Sequence, residues 1–176
     1  MIETVVESIR VSLVTQARVV ILKEVAGDRH LPIWIGAFEA EAIAMELQGI
    51  PASRPLPYDL LRSVIGELGG ELRRIVVTDL TQDVFFARIV IDRAGIAVEI
   101  DSRPSDAIAL AVRAKVPILV DESVMDRAGV RLEDESDDRE PSESTSREGE
   151  TIEEPSAFRD FINSLNLDDF GSRSDS

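Results

Sequence analysis

The sequence contains no cysteine, which excludes a disulfide framework, a thiolate zinc site and a cysteine nucleophile together. Aromatic residues are scarce too, at 5% with a single Trp and a single Tyr, so the run of aromatics that forms a base-stacking platform is missing. The one histidine, His30, stands beside a turn, reads as an exposed polar residue and is assigned no role. No apolar run approaches the roughly 20 residues needed to span a bilayer. The opening Met1-Ile2-Glu3-Thr4-Val5-Val6-Glu7 puts acids where a signal peptide carries basic residues before its apolar core. A cytoplasmic protein with no membrane partner is the expectation.

What the chain has in quantity is aliphatic. Hydrophobic residues make up 44% of its 176 positions, and with so few aromatics the core must be built from Val, Ile, Leu and Ala, which suits helices packed on a sheet. The net charge of −15 argues against a phosphate-rich partner until its distribution is considered. Residues 1 to 132 hold 15 Lys and Arg against 19 Asp and Glu, whereas residues 133 to 176 hold 4 against 15. Most of the excess acid therefore lies outside the region that can fold, and the body is close to balanced.

Alternation at Val5, Ile9, Val11 and Leu13, then Val19 to Leu22 after a turn near Gln16-Ala17, predicts a hairpin. His30 to Gly36 reads as a third strand, with Pro32 placing it at an edge or near a strand start because proline donates nothing to a ladder. A helix is predicted over Phe38 to Gln48, with Phe38, Ala42 and Met45 as one stripe, Ile43 and Leu47 beside it, and Gly49 as terminator. The proline-rich connector that follows leads into a second helix over Pro57 to Leu68, on the same side of the sheet. Three strands, Glu71–Leu80, Val84–Ile91 and Ile96–Ile100, form a meander with turns of hairpin length. A third helix, Arg103 to Lys115, precedes a short strand at Pro117 to Val120. Grouped strands with inserted helices predict an α+β fold: an antiparallel or mixed sheet with about three helices over residues 1–132. Residues 133–154 lack the apolar content to fold and read as a disordered acidic linker. In residues 155–176 the spacing of Phe158, Phe161, Ile162, Leu165 and Phe170 allows a short amphipathic helix.

Four segments, taken in order, carry a family likeness: Leu31-Pro32-Ile33-Trp34-Ile35-Gly36 leading to Glu39-Ala40-Glu41-Ala42-Ile43-Ala44, Arg54-Pro55-Leu56-Pro57-Tyr58-Asp59-Leu60-Leu61, Phe85-Phe86-Ala87, and Ile100-Asp101-Ser102-Arg103-Pro104-Ser105-Asp106-Ala107-Ile108-Ala109-Leu110-Ala111. With this order and spacing the chain resembles the bifunctional nuclease family over about residues 1 to 130. The resemblance implies an α+β fold, a tendency to form homo-oligomers, and cleavage of both DNA and RNA as the activity. One departure stands out: where relatives often carry Thr-His, this chain has Pro57-Tyr58, so no imidazole is available there.

Residue chemistry supplies the candidate site. Protein-catalysed phosphodiester hydrolysis commonly uses a divalent ion held by two or more carboxylates, and Asp101 and Asp106 flank a strand-to-helix turn where a magnesium or manganese ion would sit. Arg103 between them suits a bidentate phosphate contact, Glu39 in the first helix is a further catalytic candidate, and Arg54, Tyr58, Asp59 and Ser105 are candidates for contacting substrate. The same residues also fit ordinary duties: Ser102, Ser105 or Asp101 as helix caps, Asp106 as a first-turn acid, Arg54 and Asp59 as a salt bridge or cap. Two functions follow, a metal-assisted nuclease or a noncatalytic module that binds an anion or a partner segment at the same helix end.

Overall fold

Among the described residues eight strands and four helices emerge in the order β1 (Ile2–Val11), β2 (Arg18–Glu24), β3 (Arg29–Ile35), α1 (Ala37–Leu47), α2 (Pro57–Glu67), β4 (Gly70–Thr81), β5 (Val84–Arg93), β6 (Ile96–Ser102), α3 (Pro104–Ala114), β7 (Ile118–Val120), α4 (Glu122–Ala128) and β8 (Val130–Arg131). The computed structural model describes residues 1–12 and 15–131. The expected linker 133–154 and the amphipathic end 155–176 lie outside the described residues.

The strands make one sheet in the order β6-β5-β4-β7-β1-β2-β3-β8. Neighbours are antiparallel except β4 and β7, which run parallel because the chain crosses back over the sheet through α3 to enter β7. Alternate positions such as Val20 and Leu22, Ile75 and Val77, and Ile89 and Ile91 put their side chains on one face. There they join Ile43 of α1, Ala107 to Ala111 of α3, and Val124 and Met125 of α4 in one core, against which Tyr58 and Ile65 of α2 pack. The α+β architecture predicted from the pattern is the one observed, with hairpin turns at 82–83 and 94–95 inside the expected connections 81–83 and 92–95.

Pro32 behaves as its chemistry requires. The two-residue strand β8 pairs only with Arg29 and His30, so from Leu31 onward the outer side of β3 has no strand neighbour among the described residues, and a missing N–H there breaks no ladder. Four helices form rather than about three. α4 is seven residues long and is capped by Asp121, whose side chain accepts from Ser123 N at 3.0 Å; a segment this short shows no helical period in sequence.

Helix α1 turns a different face inward than its apolar stripe predicts. Phe38 is 84% exposed, whereas Ala40, Ala42 and Ile43 are buried. The helix is apolar nearly all round, so periodicity does not choose a face; the alanines choose it, because small residues let α1 approach the alanine-rich α3 closely. His30 is likewise not exposed. It is 7% accessible with Nε2 3.3 Å from Glu7 Oε1, its neighbours in β2 and β8 having closed over it.

Candidate functional site

Three helices begin at one place. α1 starts after Gly36, α2 after Leu56 and α3 after Arg103, and none of these three N-cap residues provides a side-chain acceptor. Each leaves backbone N–H groups and the positive end of its dipole for other partners. Proline opens α2 and α3 at Pro57 and Pro104, where the absent N–H costs nothing and the fixed φ suits a helix start. Candidate side chains sit in these first turns: Glu39 on α1, Tyr58 and Asp59 on α2, Asp106 on α3, with Arg103 at the entrance to α3.

Arg103 ties the site together. Its Nε donates to Asp106 Oδ2 at 2.8 Å and its Nη2 to Asp106 Oδ1 at 3.1 Å and Glu39 Oε1 at 2.8 Å. The Tyr58 hydroxyl donates to Asp106 Oδ1 at 2.9 Å. The two carboxylates hold the Arg103 guanidinium still more firmly in its charged form than usual. Glu39 folds back over its own helix start, into the space that a Cβ on Gly36 would fill. Glu39 and Asp106 are half-buried, whereas Arg103 is exposed, so the cation faces solvent while its carboxylate partners are partly covered.

Partial burial, and after it the bond to Asp106, push the Tyr58 hydroxyl well above the ordinary tyrosine range. Its proton stays where it is at any physiological pH. Tyr58 is the only tyrosine in the chain, so its ultraviolet absorbance can be followed alone. Folded protein is expected to show no phenolate signal at about pH 10, where an unfolded tyrosine is half ionised. The stability that Tyr58 contributes is fully present below that pH and is lost as pH rises toward the higher folded value. A phenolate appearing near pH 10 in still-folded protein would disprove this.

Behind the cluster lies a support that the sequence reading did not single out. Arg113 of α3 is 4% exposed. It donates from Nε to Asp59 Oδ1 at 3.1 Å, from Nη1 to Ala109 O at 3.1 Å and from Nη2 to Ala42 O at 2.8 Å, and its guanidinium carbon lies 5.4 Å from the centre of the Tyr58 ring. One side chain thus joins α1, α2 and α3. A single arginine within Ala109-Leu110-Ala111-Val112-Arg113-Ala114 was the available signal, since a cation in an apolar run is buried only when paired. Asp59 uses its other oxygen, Oδ2, to accept from Leu56 N at 2.8 Å, so both its oxygens serve the scaffold. Arg54 is exposed on the wall of a cavity of about 360 Å³ that Asp59 and Arg113 also line.

Of the predicted site residues, Glu39, Tyr58, Arg103 and Asp106 come together; Asp101 does not join them. Its ladder partner is Arg88, while the next residue, Ile100, pairs with the core residue Ile89, which puts Asp101 on the sheet face away from the helices. Ser105 is buried in the first turn of α3. Neither serine supplies the predicted cap, the Ser102 hydroxyl donating instead to Arg103 O at 3.0 Å. Among the described residues no three His, Asp or Glu side chains gather as a metal-binding group. The oxygens of Asp106 and Oε1 of Glu39 already accept from Arg103 or Tyr58, so the side chains as they stand do not fit a divalent ion.

No helix of the described residues is long and apolar enough to cross a membrane. Over 168 residues the chain is 42% identical to an uncharacterized protein of Mycobacterium tuberculosis (strain ATCC 25618 / H37Rv), a match covering 96% of this chain and 97% of the relative. It is 30% identical over 105 residues to Bifunctional nuclease 1 of Arabidopsis thaliana and 31% identical over 107 residues to Bifunctional nuclease 2 of the same plant. These two matches cover 58% and 59% of this chain but 32% of either plant protein. The family model for the bifunctional nuclease domain matches residues 20–133, a span that holds Glu39, Tyr58, Arg103 and Asp106, and the chain therefore belongs to the bifunctional nuclease domain family.

Proposed function

We propose that this protein is a nuclease that hydrolyses phosphodiester bonds of DNA and RNA at the cluster of Glu39, Tyr58, Arg103 and Asp106. The observation that carries this reading is the meeting around one exposed arginine of three helix starts whose N-cap side chains supply no acceptor. A phosphodiester carries one negative charge, and backbone amides at a helix start are a natural seat for it. In the free protein Glu39 and Asp106 exceed Arg103 by one negative charge, and the three helix ends offset that excess.

In this reading Arg103 turns from Glu39 onto the non-bridging oxygens, keeping its fork toward Asp106. Glu39, released from its partner, takes a proton from the attacking water and returns it to the leaving oxygen as the P–O bond breaks, so the proton balance closes within the site. Arg103 and the helix ends stabilise the charge that develops on phosphorus oxygens. Tyr58 holds Asp106, and Asp106 aims Arg103. These steps run on the side chains and helix ends alone, since Glu39 and Asp106 would fit a divalent ion only after Arg103 had left them.

Cleavage of labelled single-stranded DNA and RNA by purified full-length protein, with magnesium, manganese or chelator, tests this. Turnover of both nucleic acids that survives the chelator is the expected result. Loss in chelator with recovery on adding magnesium or manganese would return Glu39 and Asp106 to the role of ligands. Stable capture of nucleic acid without turnover in any buffer would favour a binding module instead.

A further inference from the structure

We propose that the cavity of about 360 Å³ behind the cluster is a guanine-binding subsite, which holds the base of a nucleotide next to the scissile phosphate. The cavity stands on its own as a base site, and its place on a substrate strand rests on the nuclease reading above. Its wall is made by the end of α1, the connector 50–56, the first turn of α2 and Arg113 of α3. Asp106 and Arg113 are seven positions apart on α3, which is two turns or about 10 Å. Tyr58 spans that distance, with its hydroxyl on Asp106 and its ring against Arg113. A strand held at Arg103 by one phosphate can therefore lay a neighbouring base in the cavity.

The charges argue against a second phosphate seat. Two cations, Arg54 and Arg113, and two anions, Glu46 and Asp59, line the cavity, so a phosphate would meet as many carboxylates as guanidiniums. Asp59 and Arg113 are paired with each other at 3.1 Å, which leaves Arg54 and Glu46. Neither of those side chains makes a hydrogen bond or ion pair among the described residues. An unpaired cation and an unpaired anion on one cavity wall suit a neutral ligand with donors on one edge and acceptors on another. Guanine is that base. Its N1–H and exocyclic amino group are adjacent donors for a carboxylate, and its O6 and N7 are adjacent acceptors for a guanidinium. No other nucleic-acid base offers both pairs.

Arg113 and the apolar lining complete the fit. A guanidinium carries five N–H donors, and Arg113, only 4% exposed, uses three of them in hydrogen bonds. Two N–H groups of a buried side chain are thus left without an acceptor among the described residues, where polar groups are ordinarily satisfied. Met45, Pro51 and Pro55 supply apolar surface for the faces of a flat ring. The volume lies at the lower end of the roughly 300–1,000 Å³ of small-molecule sites, which is room for one base rather than for a peptide segment.

Single-atom changes in the ligand test this without turnover. Calorimetric titration of the full chain is expected to show guanosine binding. Inosine, which lacks the exocyclic amino group, and 7-deazaguanosine, which lacks the N7 acceptor, should each bind about 5- to 100-fold more weakly, the range for one good bidentate pair. Glu46→Gln should weaken guanosine by a similar factor and leave inosine near its already reduced affinity; Arg54→Ala should do the same for 7-deazaguanosine. Because both side chains are unpaired in the free protein, neither change should move the unfolding midpoint. Cuts in single strands of mixed sequence should fall beside guanine and lose that bias in Glu46→Gln. Equal binding of guanosine, adenosine and cytidine, or binding of none, overturns the subsite even where strands are cut. Guanosine binding with cuts blind to guanine overturns the link to the strand and makes a free guanine nucleotide the occupant. If nothing is cut, the nuclease reading falls, while guanosine affinity that drops in Glu46→Gln still upholds the cavity as a guanine site.

Discussion

Arg113→Met is expected to destabilise the domain by about 2–3 kcal/mol, the sum of three lost hydrogen bonds from a buried guanidinium whose ion-pair partner Asp59 is partly exposed, and to lower Tm by on the order of 5–10 °C in a domain of this size. The reason lies in what is left behind. Methionine fills the space but donates nothing, so Ala42 O and Ala109 O each lose the second donor that supplements their intrahelical bond, and Asp59, itself partly exposed, loses its ion-pair partner. Each hydrogen bond lost from an acceptor that keeps another partner commonly costs about 0.5–1.5 kcal/mol. Arg113→Lys should recover less than half of the loss, because one ammonium cannot span three acceptors on three elements. Arg62→Ala is the control: its exposed side chain donates to Arg113 O at 3.1 Å, and losing that surface bond should cost under about 1 kcal/mol. Urea unfolding followed through Trp34 fluorescence separates the three variants. If Arg113→Met behaves like Arg62→Ala, the keystone role is wrong.

Glu39→Gln and Arg103→Ala are each expected to lower kcat/KM for phosphodiester cleavage by about 10²- to 10⁴-fold, the range for losing a general base or a charge-stabilising donor. Their signatures differ. Glu39→Gln keeps the shape of the helix start and should act on kcat, whereas Arg103→Ala removes the phosphate fork and should raise KM as well. Asp106→Asn is expected to fall between them, since an amide can still accept from Tyr58 but no longer anchors the Arg103 charge. Asp101→Ala, on the far face of the sheet, should stay within a few-fold of wild type. Equal loss in all four variants, with folding intact, would move the reacting centre toward Asp101 and overturn the assignment to the helix starts. Measuring stability beside activity matters, because Glu39, Arg103 and Asp106 are joined by hydrogen bonds and their effects will not add.

Much of this protein was legible before any coordinate. The meander from Glu71 to Ile100, the turns within 81–83 and 92–95, the helix carrying Ala107 to Ala111 and the mixed sheet all follow from period-two and period-3.6 patterns with turn residues between them, which are local signals that local chemistry obeys. Pro32 announced an open strand side in the same way. The pattern could not choose the inward face of α1, because Phe38, Ile43 and Leu47 point around the helix and only the approach of α3 decides among them. It could not show that His30 is covered, because the residues that close over it come from β1, β2 and β8.

The candidate site divides along the same line. Residue types alone drew Glu39, Tyr58, Arg103 and Asp106 out of the chain as groups able to bind or cleave a phosphodiester, because charge and hydrogen-bonding capacity belong to the side chain wherever it lies. Asp101 and Asp106 are only five positions apart and read as a pair, yet a strand alternates its side chains across the sheet, and that sends Asp101 to the opposite face. Glu39 and Arg103 are 64 positions apart and meet at 2.8 Å, because three helices packed on one sheet face bring their first turns together and Arg113 pins them there. Sequence determined which chemistry this protein can carry; the tertiary structure decided which of those groups share a site, since proximity across the chain is set by packing and not by spacing.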